Sequence, residues 1–455
     1  MKHTLAALLL LSMLASFAGP VFAGEAPVDA GAAAAAPQVN AGQAPHPPVS
    51  PVPADGATSV RPFPDGDVSL QATVGDPDED LLTVSFYGRP HCESPNFTLV
   101  VLPDTQYYCS ETHGATRAMF DAQVEWIVDN RAARNIVYVT HVGDIVDGPE
   151  DAAQWDIAGK LTDPMGALTT LEQAGIEYGL AVGNHDGAPN LTTLFNVYFP
   201  PTRMGDGHYG SDNDNNYGLF SAEGLDFIVI HIEFHALFVV RDWARTLLQT
   251  YPSHRAIVVT HYLLDGTTTP APFSPEGELV YNILKPYSNL FLMLGGHLDT
   301  EVSRTDTYEG RTVYSLRSDY QTRSGGNGWL RLIEFRPARN QIQVYTYSPY
   351  LDEWETDADS QFTLAYDMTG AGCAPFELIQ TVADVPSGSS PAVMWAGRSL
   401  DSRYDWTVTV SDGTNEVTGP VWTFTTAASF ADTFMRFLPV VEKQAIALDG
   451  RRPVR

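Results

Sequence analysis

Five points along this chain place side chains that bind metal directly after apolar runs. They are Asp104-Thr105-Gln106, Gly143-Asp144-Ile145-Val146-Asp147-Gly148, Gly183-Asn184-His185-Asp186, Thr260-His261 and Gly295-Gly296-His297-Leu298-Asp299. Carboxylates, carboxamide oxygens and imidazoles are the groups a divalent cation takes from protein. Singly, each cluster reads as the turn or cap residues that commonly follow a strand. Their order and number along one stretch of chain point instead to a shared metal site.

The runs leading into these clusters are near-continuously apolar and rich in β-branched residues, the pattern of strands buried on both faces. They are residues 97–102, 136–142, 178–182, 227–232, 256–260 and 290–294. Between the first two, residues 118–132 carry Phe120, Val124, Ile127 and Val128 at helical spacing, so a helix is expected over one sheet face. Further strands are expected at 312–316, 330–335 and 342–347, carrying this domain from 95 to about 367.

The ordered motifs closely resemble those of the calcineurin-like metallophosphoesterase superfamily: D-x-H, G-D-x-x-D, G-N-H-[DE], a His after a strand, and G-H-x-H. The opening Leu102-Pro103-Asp104-Thr105-Gln106-Tyr107 and the later Gly326-Asn327-Gly328-Trp329-Leu330 also look like a bacterial branch with Gln in place of the first His. The resemblance implies an α/β fold, a four-layer α/β/β/α sandwich with two divalent metals at the carboxyl ends of its strands. By the motif match, Asp144 bridges the pair, Asn184, His261 and His297 complete the second metal, and Asp104 and Gln106 bind the first. His185 would give a proton to the leaving oxygen or stabilise the phosphoryl group, oriented by Asp147. Two metals about 3.5–4 Å apart must share a carboxylate and a hydroxide, which explains these residue types.

Two positions depart from the family's pattern: Gln106 replaces its first His and Asp299 its last. If Asp299 coordinates, the first site becomes all oxygen, which favours Mn²⁺ over Zn²⁺, with Fe, Mg²⁺ and Ca²⁺ as other occupants. If it does not reach, a one-metal or inactive site is left. The expected activity is hydrolysis of a phosphate mono- or diester by a metal-bridging hydroxide, with inversion at phosphorus and no phosphoenzyme. The alternative is an extracellular binding protein with a degenerate metal site. His141 and His235 read more readily as structural than as pocket residues. The Gly205–Gly218 segment, with Asn215, Asn216 and Tyr217, reads as a turn-rich surface loop able to form a substrate rim, and Tyr107 and Tyr108 as rings that stack or pack.

Short alternating runs flank this region, at 68–74 and 82–87 before it and at 376–381, 392–395, 404–411 and 421–426 after it. The front piece resembles the opening strands, and the rear piece the closing strands, of fibronectin type III and related Ig-like modules. Neither supplies the roughly seven strands of such a sandwich alone. An all-β Ig-like domain split into 53–90 and 374–427, with the α/β domain inserted, is therefore expected. Cys92 and Cys373 would then meet at the neck and could bridge; Cys92 with Cys109, or three free thiols, are the other states.

Residues 1–23 read as a signal peptide, 24–52 as an Ala/Pro-rich linker, and 428–455 as a tail of no assigned role. A secreted protein, extracellular or periplasmic, is expected, with no membrane span in the mature chain. Loss of the leader takes the net charge from −29 to −30. Such acidity repels polyanions and argues against nucleic acid as partner. It leaves small phosphoesters open, because bound cations dominate the field inside a metal site. Contact with a cell surface or polymer would fall to the Ig-like part.

Overall fold

The computed structural model describes residues 42–63 and 66–428. The signal-peptide reading, most of the linker, and the tail from residue 429, with its apolar run 434–441, lie outside the described residues. Among those described, no helix is long and apolar enough to cross a membrane.

Two seven-stranded mixed sheets make up the centre of the chain. In the first, Phe97–Leu102, Ile136–His141 and Tyr178–Leu180 run parallel, and Leu330–Arg336 and Gln341–Ser348 add antiparallel neighbours. In the second, Leu225–Ile232, Arg255–Thr260, Leu290–Gly295 and Arg311–Asp319 run parallel, flanked by antiparallel Asn216–Ala222 and Thr300–Tyr308. Successive side chains of a strand face opposite ways, so a run such as Phe97–Leu102 fills two cores at once. Leu99 and Val101 pack with Ile333, Phe335, Val229 and Ile257 in a core that both sheets share. Phe227 lies 5.7 Å from Phe97 and 5.3 Å from Phe335 across that interface, ring centroid to centroid. Val100 and Leu102 face the other way, toward Phe120, Val124 and Ile127 of the helix Arg117–Asn130. The second sheet uses Ile228, Ile230 and Val258 in the same manner, against helices Phe238–Thr250 and Pro275–Leu284. Each such buried Leu, Ile or Phe contributes about 1.5–3 kcal/mol.

The parallel pairings put all the relevant strand ends at one edge of each sheet. Leu102 is level with His141 and His141 with Leu180. In the second sheet Ile232 is level with Thr260, and Gly295 with Arg317. The two edges meet: Phe234 donates its N–H to the Val182 carbonyl at 2.8 Å, and Thr140 pairs with His231 Nε2 at 2.9 Å.

The flanking strands pair with one another. Val68–Gly75 pairs with Ala392–Trp395, and Leu82–Pro90 with Glu377–Val385 and Arg403–Ser411. Leu70, Val84 and Phe86 share a core with Val393, Trp406, Val408 and Phe424. Cys92 and Cys373 form a disulfide with their Cα atoms 5.0 Å apart, and Cys109 is a buried free thiol. Beside the disulfide, the buried Arg89 guanidinium donates to Asp405 at 3.3 Å and to the carbonyls of Ala374 and Ala338.

Some expectations need correction. His46–Val52, read as the end of a linker, is a strand paired with Val68–Gly75. It lies at the edge of its sheet and donates to one side only, so its prolines are tolerated. The segment 205–218 is a surface loop only in part: residues 205–206 and 210–212 are exposed, while its second half turns inward. Asn213, Asn215 and Asn216 are buried, and their amides replace missing backbone partners, as when Asn216 Nδ2 donates to the Leu180 carbonyl at 3.0 Å. The edge strand Thr300–Tyr308 escaped notice because its solvent face carries Ser303, Thr305 and Thr307 rather than apolar residues.

Candidate metal centre

Asp104 follows the first strand and is buried, as is Gln106. Their backbone is pinned by Thr105, which donates its N–H to the Asp144 carbonyl at 3.0 Å and its hydroxyl to the Ile145 carbonyl at 3.0 Å. The hydroxyl in turn accepts from His141 Nε2 at 2.9 Å, while His141 Nδ1 accepts from the Gly143 N–H at 3.1 Å. Burial pushes His141 down to about 3, so it stays neutral and its role is structural, as the sequence suggested. The His297 N–H donates to Asp104 Oδ2 at 3.1 Å. Gln106 donates its amide nitrogen to Gln321 Oε1, and its own Oε1 is buried with no hydrogen-bond partner.

Asp144 occupies left-handed backbone space, at φ 52°, a conformation that is tolerated at functional loops when neighbours over-determine it. Here Asp186 does so. Its buried carboxylate accepts from the N–H groups of Ile145 at 2.8 Å, Val146 at 3.1 Å and Gly183 at 2.9 Å, clasping the two motif loops together. Asp144 Oδ1 accepts from the His185 N–H at 2.8 Å, and its Oδ2 lies 3.1 Å from His261 Nε2. The close approach demands glycine: a Cβ on Gly183 would sit 2.1 Å from Asp144 Oδ1, and one on Gly296 2.1 Å from Asp104 Oδ1.

His261 donates from Nδ1 to the Val142 carbonyl at 3.0 Å, which commits Nε2 to the site. His297 Nδ1 lies 3.2 Å from that Nε2. Ligand atoms of Asp144, His261 and His297 all fall within 4.8 Å of one another. Burial pushes His261 down, but the Asp144 and Asp104 carboxylates outweigh it and lift the imidazole to about 10. Burial and the neighbouring His261 push His297 down to about 4. Burial, then the Asp319 charge, hold Asp104 well above the usual carboxylate range. Asn184 belongs to the same loops, and its Oδ1, like Gln106 Oε1, is buried without a partner.

His185 is half-exposed, with Nδ1 3.0 Å from the Asp147 carbonyl and 3.1 Å from its carboxylate. The Asp299 carboxylate accepts from the N–H of Thr322 at 3.3 Å and from the Thr322 hydroxyl. Tyr108 is buried and accepts from the Gly328 N–H at 3.0 Å, a packing role, whereas Tyr107 is half-buried and stacks on His113 at 4.1 Å. The His235 side chain is exposed, and its backbone N–H donates to Glu276 at 2.7 Å. Asn215 holds the buried Glu233, donating to it at 3.0 Å.

Three groups were not anticipated. Phe234 and Tyr262 wall one side, with ring centroids 5.4 and 4.5 Å from His297. Asp319 is fully buried at the end of a parallel strand, two residues beyond the partner of Gly295. Burial pushes it up to about 7. Reading the run 312–316 three residues further would have found a sixth strand ending in a carboxylate.

The donor set fits divalent cations. Carboxamide oxygens buried without hydrogen bonds cost about 1–3 kcal/mol each unless something accepts their lone pairs. Among the described residues such oxygens occur on Gln106, Gln123, Asn184, Asn213 and Asn216, and those of Gln106 and Asn184 belong to the motif segments that carry Asp104 and His185.

No family model matches the chain. It is 32 % identical over 365 residues to the uncharacterized protein YvnB of Bacillus subtilis (strain 168), a match covering 72 % of this chain. The chain spans only 27 % of that relative's length. Among solved structures it is similar to a dimetal phosphatase from Danio rerio, with TM-score 0.41 and 13 % identity over 61 % of this chain and 100 % of that one. It is also similar to the purple acid phosphatase PPD1 from yellow lupin (Lupinus luteus), with TM-score 0.41 and 11 % identity over 72 % of this chain and 75 % of that one. A third is Vacuolar Protein Sorting 29 from Cryptosporidium parvum, with TM-score 0.27 and 11 % identity over 59 % and 96 %. These likenesses are distant, and the chemistry is read from this chain's own residues.

Proposed function

We propose that the protein is a metal-dependent phosphoesterase hydrolysing a phosphate mono- or diester. The observation that carries the reading is the cluster of Asp144, His261 and His297, whose ligand atoms lie within 4.8 Å of one another, with Asp104 bonded to the His297 N–H and unpartnered carboxamide oxygens on Gln106 and Asn184 of the neighbouring motifs. Asp104, Gln106 and Asp144 would hold one cation, and Asp144, Asn184, His261 and His297 the other. Bound there, the cations would neutralise the phosphoryl oxygens and activate a water. The Val142 carbonyl holds His261 in the tautomer that offers Nε2. His185, whose Nδ1 is committed to Asp147, can give a proton from Nε2 to the leaving oxygen. The rings of Phe234 and Tyr262 would exclude water on the His297 side.

In the same reading the site sits on a four-layer α/β/β/α sandwich inserted into a split Ig-like domain. Support comes from the core shared between the two central sheets and from the pairing of front and rear flanking strands. The Cys92–Cys373 disulfide supports an oxidising compartment, extracellular or periplasmic. Small phosphoesters are the proposed substrates, and the Ig-like part is the proposed contact to a cell surface or polymer.

The test is hydrolysis of p-nitrophenyl phosphate and its bis ester with added Mn²⁺, with metal analysis on the same sample. Metal-dependent turnover that Asn184→Ala abolishes is expected. Protein that binds metal but turns over neither ester would favour the binding-protein reading, for which the bonding of Asp299 to Thr322 is the motivating feature.

A further inference from the structure

A carboxamide has one end that can bind a cation and one that cannot, and shape alone hardly distinguishes them. Gln106 therefore needs something to decide which end faces the metal centre. We propose that Asp319 and Gln321 make that decision, as positioning residues for the first cation; the inference rests on the phosphoesterase reading above.

The directions follow from the donor inventory. Asp319 ends its strand fully buried, and its Oδ1 accepts the Gln321 backbone N–H at 3.0 Å, which fixes the carboxylate in place. Its Oδ2 accepts from the Gln321 side-chain nitrogen at 3.0 Å. A backbone N–H can only donate, so it holds Asp319 in the pose in which Oδ2 accepts the Gln321 amide nitrogen, and the amide oxygen points the other way. That oxygen accepts from Gln106 Nε2. The Gln106 nitrogen is thereby committed, and the end left over is Oε1, buried and unpartnered. Each amide is thus oriented by the group before it, starting from a backbone N–H that can only donate. Thr322 bonds the Asp299 carboxylate, which ties the same segment to the last motif.

The experiment uses full-length protein and Mn²⁺ titrated by calorimetry into Gln321→Leu, Asp319→Asn, Gln106→Glu and the Gln106→Glu/Gln321→Leu double variant. Partners that orient metal ligands typically change affinity about 10–100-fold. Gln321→Leu and Asp319→Asn should therefore weaken the first Mn²⁺ by about tenfold or more, with the second bound as in the parent. A glutamate at 106 has an oxygen at both ends and needs no orienting. Adding Gln321→Leu to Gln106→Glu should then leave Mn²⁺ affinity unchanged. A purely structural role for Gln321 predicts equal losses in both backgrounds, and that result would overturn the proposal, as would unaltered binding in Gln321→Leu. A parent protein that binds no Mn²⁺ would instead sink the phosphoesterase reading, and this inference with it.

Discussion

Gly183→Ala adds one methyl group where the two central motif loops touch. The new Cβ would lie 2.1 Å from Asp144 Oδ1 and 2.4 Å from the Asp144 backbone nitrogen. Carbon and oxygen rarely approach closer than about 3.3 Å, so the loops must part by roughly 1 Å. Side-chain rotation does not relieve the clash, because a backbone atom is involved. The Asp144 loop is also tied to Asp186 through Ile145 and Val146. Overpacking of this kind costs about 1–3 kcal/mol of stability. The chemical cost is larger. Metal distances tolerate about 0.2 Å, and a 1 Å misplacement lowers turnover on the order of 100-fold. Because Asp144 is the proposed bridge, both cations should bind more weakly. Mn²⁺ calorimetry, p-nitrophenyl phosphate turnover and thermal melting without metal would be measured alongside Gly75→Ala, where the added Cβ meets nothing closer than 3.7 Å. If Gly183→Ala keeps Mn²⁺ affinity and turnover within about threefold of the parent, the loops do not set the metal geometry and the reasoning fails.

Other outcomes follow from the same geometry. His185→Ala should slow turnover by about 10²–10⁴-fold with metal content intact; lost metal would make His185 a ligand instead. Chelation should lower the melting temperature, since a cation present at 100 times its dissociation constant stabilises by about 2.7 kcal/mol, and Mn²⁺ should restore it better than Zn²⁺. Glu233 is raised by burial from 4.5 to about 7. Between those values the unfolded chain has released a proton that the folded chain keeps, so stability falls as pH rises through this window. Glu233→Gln should flatten that slope and gain on the order of 1–3 kcal/mol over the parent at about pH 8, read by urea melts at several pH values. Replacing Cys92 and Cys373 by Ser should cost about 2–5 kcal/mol, and a non-reduced digest should yield their linked peptides with Cys109 still free.

The motif order alone pointed to Asp104, Asp144, Asn184, His261 and His297, because each follows an apolar run and the strand period is carried by local residues. Continuous apolar runs located the strands at 97–102 and 290–294, and alternation the one at 392–395. Local pattern had nothing to say about edge strands such as Thr300–Tyr308, whose solvent face is polar, or His46–Val52, whose prolines suit a tether equally well. Nor could it decide where a side chain turns. Asp299 occupies a ligand position in the motif, yet Thr322 holds its carboxylate, while Asp319 reaches the site from a strand with no motif at all. The pairing of Cys92 with Cys373 rather than Cys109 was likewise a matter of distance between residues far apart in sequence. Residue type and spacing along a strand determine which groups can ligate; which of them converge depends on register between strands and on hydrogen bonds made after the chain has closed.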